Sequence, residues 1–246
     1  MKNQQSLEGG LTPRQFRLSL KGFTLAEVLI TLGIIGIVAA LTLPTVIQHH
    51  KKQEATARLK KFVSTMEQAI SLSELNNGPA LDWQLSGEPL KDEDGNEDLQ
   101  KQSEEINTVY NRYFKKYLKT VKIDENYRFL SQGDNVFTRA ALMVYFADGS
   151  AARFFNGVCI DILYDVNGDK NPNVYGRDQF TFLLCRRDKA SLLHRNSPNK
   201  AFGSFYAINS TARGRLIDYC KENKYHCSAL LEYDNWEFKD DYPYKL

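Results

Sequence analysis

Residues 23–43 read FTLAEVLITLGIIGIVAALTL, a run of mostly apolar side chains in which Glu27 is the one ionisable group. About twenty such residues are what a helix needs to cross the hydrocarbon core of a bilayer. A secretory signal peptide has a shorter apolar core followed by a small-residue cut site, and Val38-Ala39-Ala40 is the nearest such match. The run here is longer than that and carries an acid. A plain anchor accounts for the length but not for Glu27, because a carboxylate deep in lipid costs about 2.5–3.5 kcal/mol on insertion scales.

Outward from this run, Lys2, Arg14, Arg17 and Lys21 precede it against Glu8, which favours a cytoplasmic leader. Lys51, Lys52, Arg58, Lys60 and Lys61 follow it, so charge counting alone does not choose an orientation. His49 and His50 fall where the membrane surface is expected. Past Pro44, Ala55, Leu59, Phe62, Val63, Met66, Ala69 and Ile70 recur at steps of three and four, an apolar stripe on a charged helix. Asn76-Asn77-Gly78-Pro79 stops it, which places the first element at 23–75.

The stretch Lys21-Gly22-Phe23-Thr24-Leu25-Ala26-Glu27 resembles the cleavage and methylation motif of type IV prepilins and type II secretion pseudopilins. The resemblance implies a membrane aspartyl prepilin peptidase that cuts between Gly22 and Phe23 and methylates the new amine of Phe23. It implies a leader at 1–22, an assembly helix at 23–75 and an extracytoplasmic globular domain at 76–246. Glu27 would then meet the ammonium of Phe23, its own or a neighbour's, and an unpaired buried charge would penalise errors of register. Pro44 matches a proline common in such helices, where the missing N–H permits a kink; an ordinary helix end is the plainer reading. Gly33 and Gly36 allow close helix contacts in a filament core, or are incidental.

Downstream, 86–102 is acidic and reads as a solvated loop, and 104–118 as a short amphipathic helix with Ser103 as its N-cap. From Ala141 the period becomes two, with turns at Asp148-Gly149 and Asn156-Gly157, giving strands near 142–146, 151–155, 158–165 and 180–185. The expected class is α+β: a long N-terminal helix, half transmembrane and half amphipathic, laid on an antiparallel meander of about four strands. Pilin globular domains share this arrangement. The chain from Lys189 onward shows no clear period and reads as an irregular flap.

The balance of 32 basic and 30 acidic residues gives no overall field toward nucleic acid. In the loop 165–178, Asp165, Asn167 and Asp169 alternate and Asp178 closes the set, as in hard-cation loops. Lys170 and Gly176 depart from the EF-hand pattern, so calcium stands level with a loop held by Asx-turns. Four cysteines suit disulfides in an exported domain; Cys220–Cys227 and Cys159–Cys185 are favoured by proximity over the other pairings. His194 and His226 lack partners at a diagnostic spacing, no phosphate loop or serine elbow occurs, and no catalysis is expected. The expected partners are prepilin peptidase, other pilin or pseudopilin subunits, the inner-membrane assembly platform and the lipid bilayer, with no nucleic acid. Two alternatives remain, a membrane-anchored extracytoplasmic binding or enzymatic domain and a DNA-uptake pilin.

Overall fold

The computed structural model describes residues 22–85, 90–131, 138–193, 200–205 and 212–246. Residues 1–21 of the expected leader 1–22, and His194, lie outside them. The chain divides into two compact units, 1–45 and 46–246.

In the first unit the helix α1 (Leu25–Asn77) begins, and its apolar side chains are exposed from Leu25 to Leu43. By length and composition this stretch is a candidate membrane span, with none of the apolar window buried. Thr31 and Thr42 turn their hydroxyls back onto the carbonyls of Val28 (2.9 Å) and Val38 (2.8 Å). Polar groups in an apolar helix are thereby satisfied within it.

In the second unit α1 continues to Asn77, and Gly78, at φ 74°, takes the left-handed turn that ends it, its N–H donating to the carbonyl of Glu74. Ala55, Leu59, Phe62, Met66, Ala69 and Ile70 are buried and Val63 is partly so, as the spacing predicts. What covers them is a six-stranded antiparallel meander: β1 (Lys122–Leu130), β2 (Thr138–Tyr145), β3 (Ala151–Asn156), β4 (Ile160–Asp165), β5 (Gln179–Leu184) and β6 (Phe202–Ser204), paired in chain order. Phe62 is the keystone. Its ring stacks on Tyr164 at 4.0 Å and meets Phe182 and Phe146 edge-on at 5.1 and 6.0 Å. The helix α2 (Leu99–Tyr113) adds Ile106, Val109, Tyr110 and Tyr113 to the same core, with Tyr113 stacked on Trp83 at 4.3 Å.

The α+β class and helix-on-meander layout are as expected, but the described residues form six strands rather than about four. The edge strand β1 reads KIDENYRFL, with charges and a register shift between Asp124 and Tyr127. Edge strands are blunted in this way, and the alternation that reveals a strand is lost. β6 is three residues long. α2 starts earlier than expected because Asp98, not Ser103, is its N-cap: the Asp98 carboxylate accepts the N–H of Lys101 at 2.9 Å. Ser103 is buried inside the helix and donates to the carbonyl of Glu125. Within the expected loop, Asp92 accepts the N–H groups of Asp94 and Asn96, and Lys91 bridges Glu97, making a tight turn over 91–97. The C-terminal part is also more regular than its sequence suggests. It holds α3 (Arg213–Glu222) and α4 (Cys227–Tyr233), and Leu216, Leu230 and Leu231 join the core.

Candidate functional site

The head of α1 is built by two side chains three residues apart. The N–H of Thr24 donates to Glu27 Oε2 at 2.8 Å, the Thr24 hydroxyl donates to the same oxygen at 2.7 Å, and the N–H of Glu27 donates to Thr24 Oγ1 at 3.2 Å. This is a reciprocal capping box, in which each side chain satisfies a backbone N–H that the first helical turn leaves without a partner. The Thr-x-x-Glu spacing was readable in the sequence. The methylation motif uses the same Glu27 and assigns it a different partner, the ammonium of Phe23. The structure pairs the carboxylate within its own first turn, so Glu27 is partnered while residue 22 is still joined to residue 23.

Immediately ahead of the cap, Gly22 and Phe23 lie outside any helix or strand, and Phe23 is 86% exposed. The Gly22–Phe23 peptide bond is therefore open to a protease without unwinding α1. Pro44 sits inside α1, which continues through it. The chain divides into its two units after Thr45, one residue past the proline. A proline in a helix removes one i to i−4 bond, here the one to the carbonyl of Ala40.

The loop 165–178 is held by its own donors. Asp178 accepts the N–H groups of Asn173 (2.8 Å) and Val174 (2.6 Å) and the Asn167 amide (3.3 Å). Asp165 accepts the N–H of Asn167 (3.0 Å) and the Gln179 amide (2.9 Å), and Asp169 accepts the Tyr145 hydroxyl (3.1 Å). Burial raises the Asp165 carboxyl to about 7 against the pull of the Gln179 and Asn167 donors, and burial together with Asp169 raises the Tyr145 hydroxyl to about 12. Gly168, at φ 69°, passes so near the carbonyl of Gly149 that a Cβ would lie 2.7 Å from its oxygen. Among the described residues no group of three or more His, Cys, Asp or Glu side chains is arranged to hold a metal. The four predicted ligands are thus neighbours in one loop, each with protein hydrogen bonds.

Both disulfides join neighbouring elements. Cys159, before β4, bonds Cys185, after β5; Cys220 in α3 bonds Cys227 at the start of α4. Gly176, at φ 74°, packs on the second bridge, where a Cβ would come within 2.8 Å of Cys227 Sγ. His226, beside that bridge, is half-buried and stacks on Phe205 at 5.4 Å, and burial lowers its pKa. Its surroundings are aromatic rings, not a nucleophile. His49 meets Gln53 at 2.9 Å one turn along α1.

Residues 45–246 match the model of a family of unknown function (DUF6613). The chain belongs to this family. Residues 19–43 match the prokaryotic N-terminal methylation motif, so the protein is also prepilin-type and type IV pilin-like. No curated protein and no solved structure matches it. The methylation motif and the capping box coincide: Gly22, Phe23, Thr24 and Glu27 of this pilin-like protein all lie inside the matched segment.

Proposed function

We propose that this chain is a structural subunit of a type II secretion pseudopilus or a related type IV filament, made as a precursor and without catalytic activity of its own. Prepilin peptidase cuts it between Gly22 and Phe23 and methylates the Phe23 amine, removing the leader 1–22. The mature helix sits in the inner membrane with the globular domain on the periplasmic side, and the assembly platform moves it into the filament.

One observation carries the reading: a carboxylate held at the head of an exposed apolar helix, directly after an accessible Gly-Phe bond. The capping box refines the role of Glu27. With Oε2 engaged by Thr24, the carboxylate is oriented toward the helix N-terminus before the cut, ready for the ammonium the cut creates. Charge pairing in lipid then favours a subunit whose amine lies within reach of such a carboxylate. The disulfides suit an oxidising compartment.

The test is Glu27→Gln beside Glu27→Val, followed for processing and for filament formation. Processing is expected to continue in both while assembly stalls in both. Normal filaments from Glu27→Val would refute the role given to the charge.

A further inference from the structure

The helix α2 carries opposite charges at its two ends. Before it, Asp92, Glu93, Asp94, Glu97 and Asp98 fall within seven residues that hold no base. At and beyond its end, Arg112, Lys115, Lys116, Lys119 and Lys122 fall within eleven that hold no acid. The helix between them has 15 residues, about 22 Å of axis. Charges of these signs complement the helix dipole, which accounts for Asp98 as the cap. It does not account for the rest, since the dipole acts only within the first and last turn.

None of the five cations pairs with a carboxylate among the described residues, though each is exposed. Lys116 and Lys122 lie over the rings of Tyr117 (5.7 Å) and Tyr145 (4.9 Å), and Arg112 donates to the Gln84 amide oxygen. Lys119 rims a cleft of about 450 Å³ whose wall includes Leu72, Tyr117 and Phe146. The same wall holds Lys61 and Asp148, paired with each other at 2.7 Å, which leaves Lys119 as its unpaired charge among the described residues. At the other end Glu93 and Asp94 are exposed and form no ion pair among the described residues, and the Asp92 turn holds them on a fixed backbone.

We propose that the basic end of α2 docks the acidic turn 92–98 of a second copy of this chain. The inference rests on the filament reading above, which sets copies side by side in one orientation. A contact between two different ends of the same element is heterologous, so it leaves one donor and one acceptor end free and propagates rather than closing. The acidic turn on the same helix also disfavours a nucleic-acid partner, whose phosphates it would repel.

The experiment uses full-length protein in membranes or filaments, mixed from ordinary and nitrogen-15-labelled batches and treated with a carbodiimide, which joins a lysine to a carboxylate in contact. The expected products are peptides joining Glu93 or Asp94 of one isotope to Lys115, Lys116 or Lys119 of the other. Reversing the basic end (K115E, K116E and K119E together) or the turn (E93K with D94K) lowers their yield about tenfold, as loss of a few exposed ion pairs implies. In those variants the yield is read at the unchanged partner positions and by copy-to-copy cross-linking overall. Both reversals in one chain restore it, and 1 M salt suppresses it in the wild type.

No mixed-isotope product between these ends, or no restoration in the combined variant, overturns the proposal. Loss of a duplex DNA probe in the basic-end variant with no change in cross-linking overturns it in favour of nucleic acid. Processed filaments without the product leave the filament reading intact and overturn the docking alone. An uncut chain that still gives the product overturns the filament reading and supports the docking.

Discussion

Replacing Phe62 by Ala tests the packing that joins α1 to the sheet. The ring is 3% exposed and meets rings from four other places in the fold: Tyr164 stacked at 4.0 Å, Phe182 at 5.1 Å, Phe146 at 6.0 Å and Phe202 at 6.4 Å. Truncating a buried Phe costs about 3–5 kcal/mol, because the transfer energy is lost and the cavity only partly collapses. The stacked pair adds about 0.5–1.5 kcal/mol beyond burial, which puts the expected loss near 4–5 kcal/mol. For a unit of this size that corresponds to a fall in Tm of roughly 10 °C or more. Trp83 and Trp236 are both buried, so their fluorescence reports the unfolding of detergent-solubilised protein in guanidinium. Leu72→Ala is the control, since Leu72 lies on the same helix but is 50% exposed, and it is expected to lose less than about 1 kcal/mol. Equal losses in the two variants would refute the α1–sheet core described above.

Opening either disulfide by paired Cys→Ser changes should lower stability, with Cys159–Cys185 costing about 3.5 kcal/mol and Cys220–Cys227 about 2.5, by loop length; the reverse order in thermal melts would contradict the entropic account. Burial lifts the Asp161 carboxyl to about 7, with Arg139 opposing, so the folded state binds its proton more tightly than the unfolded state. Stability contributed by this group is therefore full near pH 4 and is lost as pH rises toward 7. Asp161→Asn should flatten that slope and gain of order 2 kcal/mol at pH 8, and an unchanged slope would contradict it. His226 works the other way: its lowered pKa favours the neutral ring, so its contribution is present above about pH 6.5 and is lost on acidification. The loop carboxylates Asp165, Asp169 and Asp178 already accept protein donors, so millimolar calcium should move Tm by less than about 1 °C. A larger, saturable rise would make the loop a calcium site.

What could be read in advance divides by the strength of the local signal. The apolar run, the stripe from Ala55 to Ile70 and the alternation in β2, β3, β4 and β5 each repeat one period long enough to be seen, and the cysteine pairings follow from closeness, Cys159–Cys185 in the meander and Cys220–Cys227 along the chain. β1 was hidden because an edge strand carries charge on both faces, and β6 because three residues have no period. α3 and α4 have 10 and 7 residues, too short for the helical pattern to show through their polar faces. The Asp98 cap and the Thr24–Glu27 box were in plain view as spacings. Each spacing competes with a second one of the same kind: Ser103 also precedes an apolar-periodic run, and the Phe23 ammonium is also within reach of Glu27.

The central claim is that the working protein starts at Phe23, with Glu27 at the head of its membrane helix. Mass spectrometry of the protein recovered from its native membrane or filament tests this most directly. A chain whose first residue is methylated Phe23 is expected, whereas a working form that retains residues 1–22 would contradict the account.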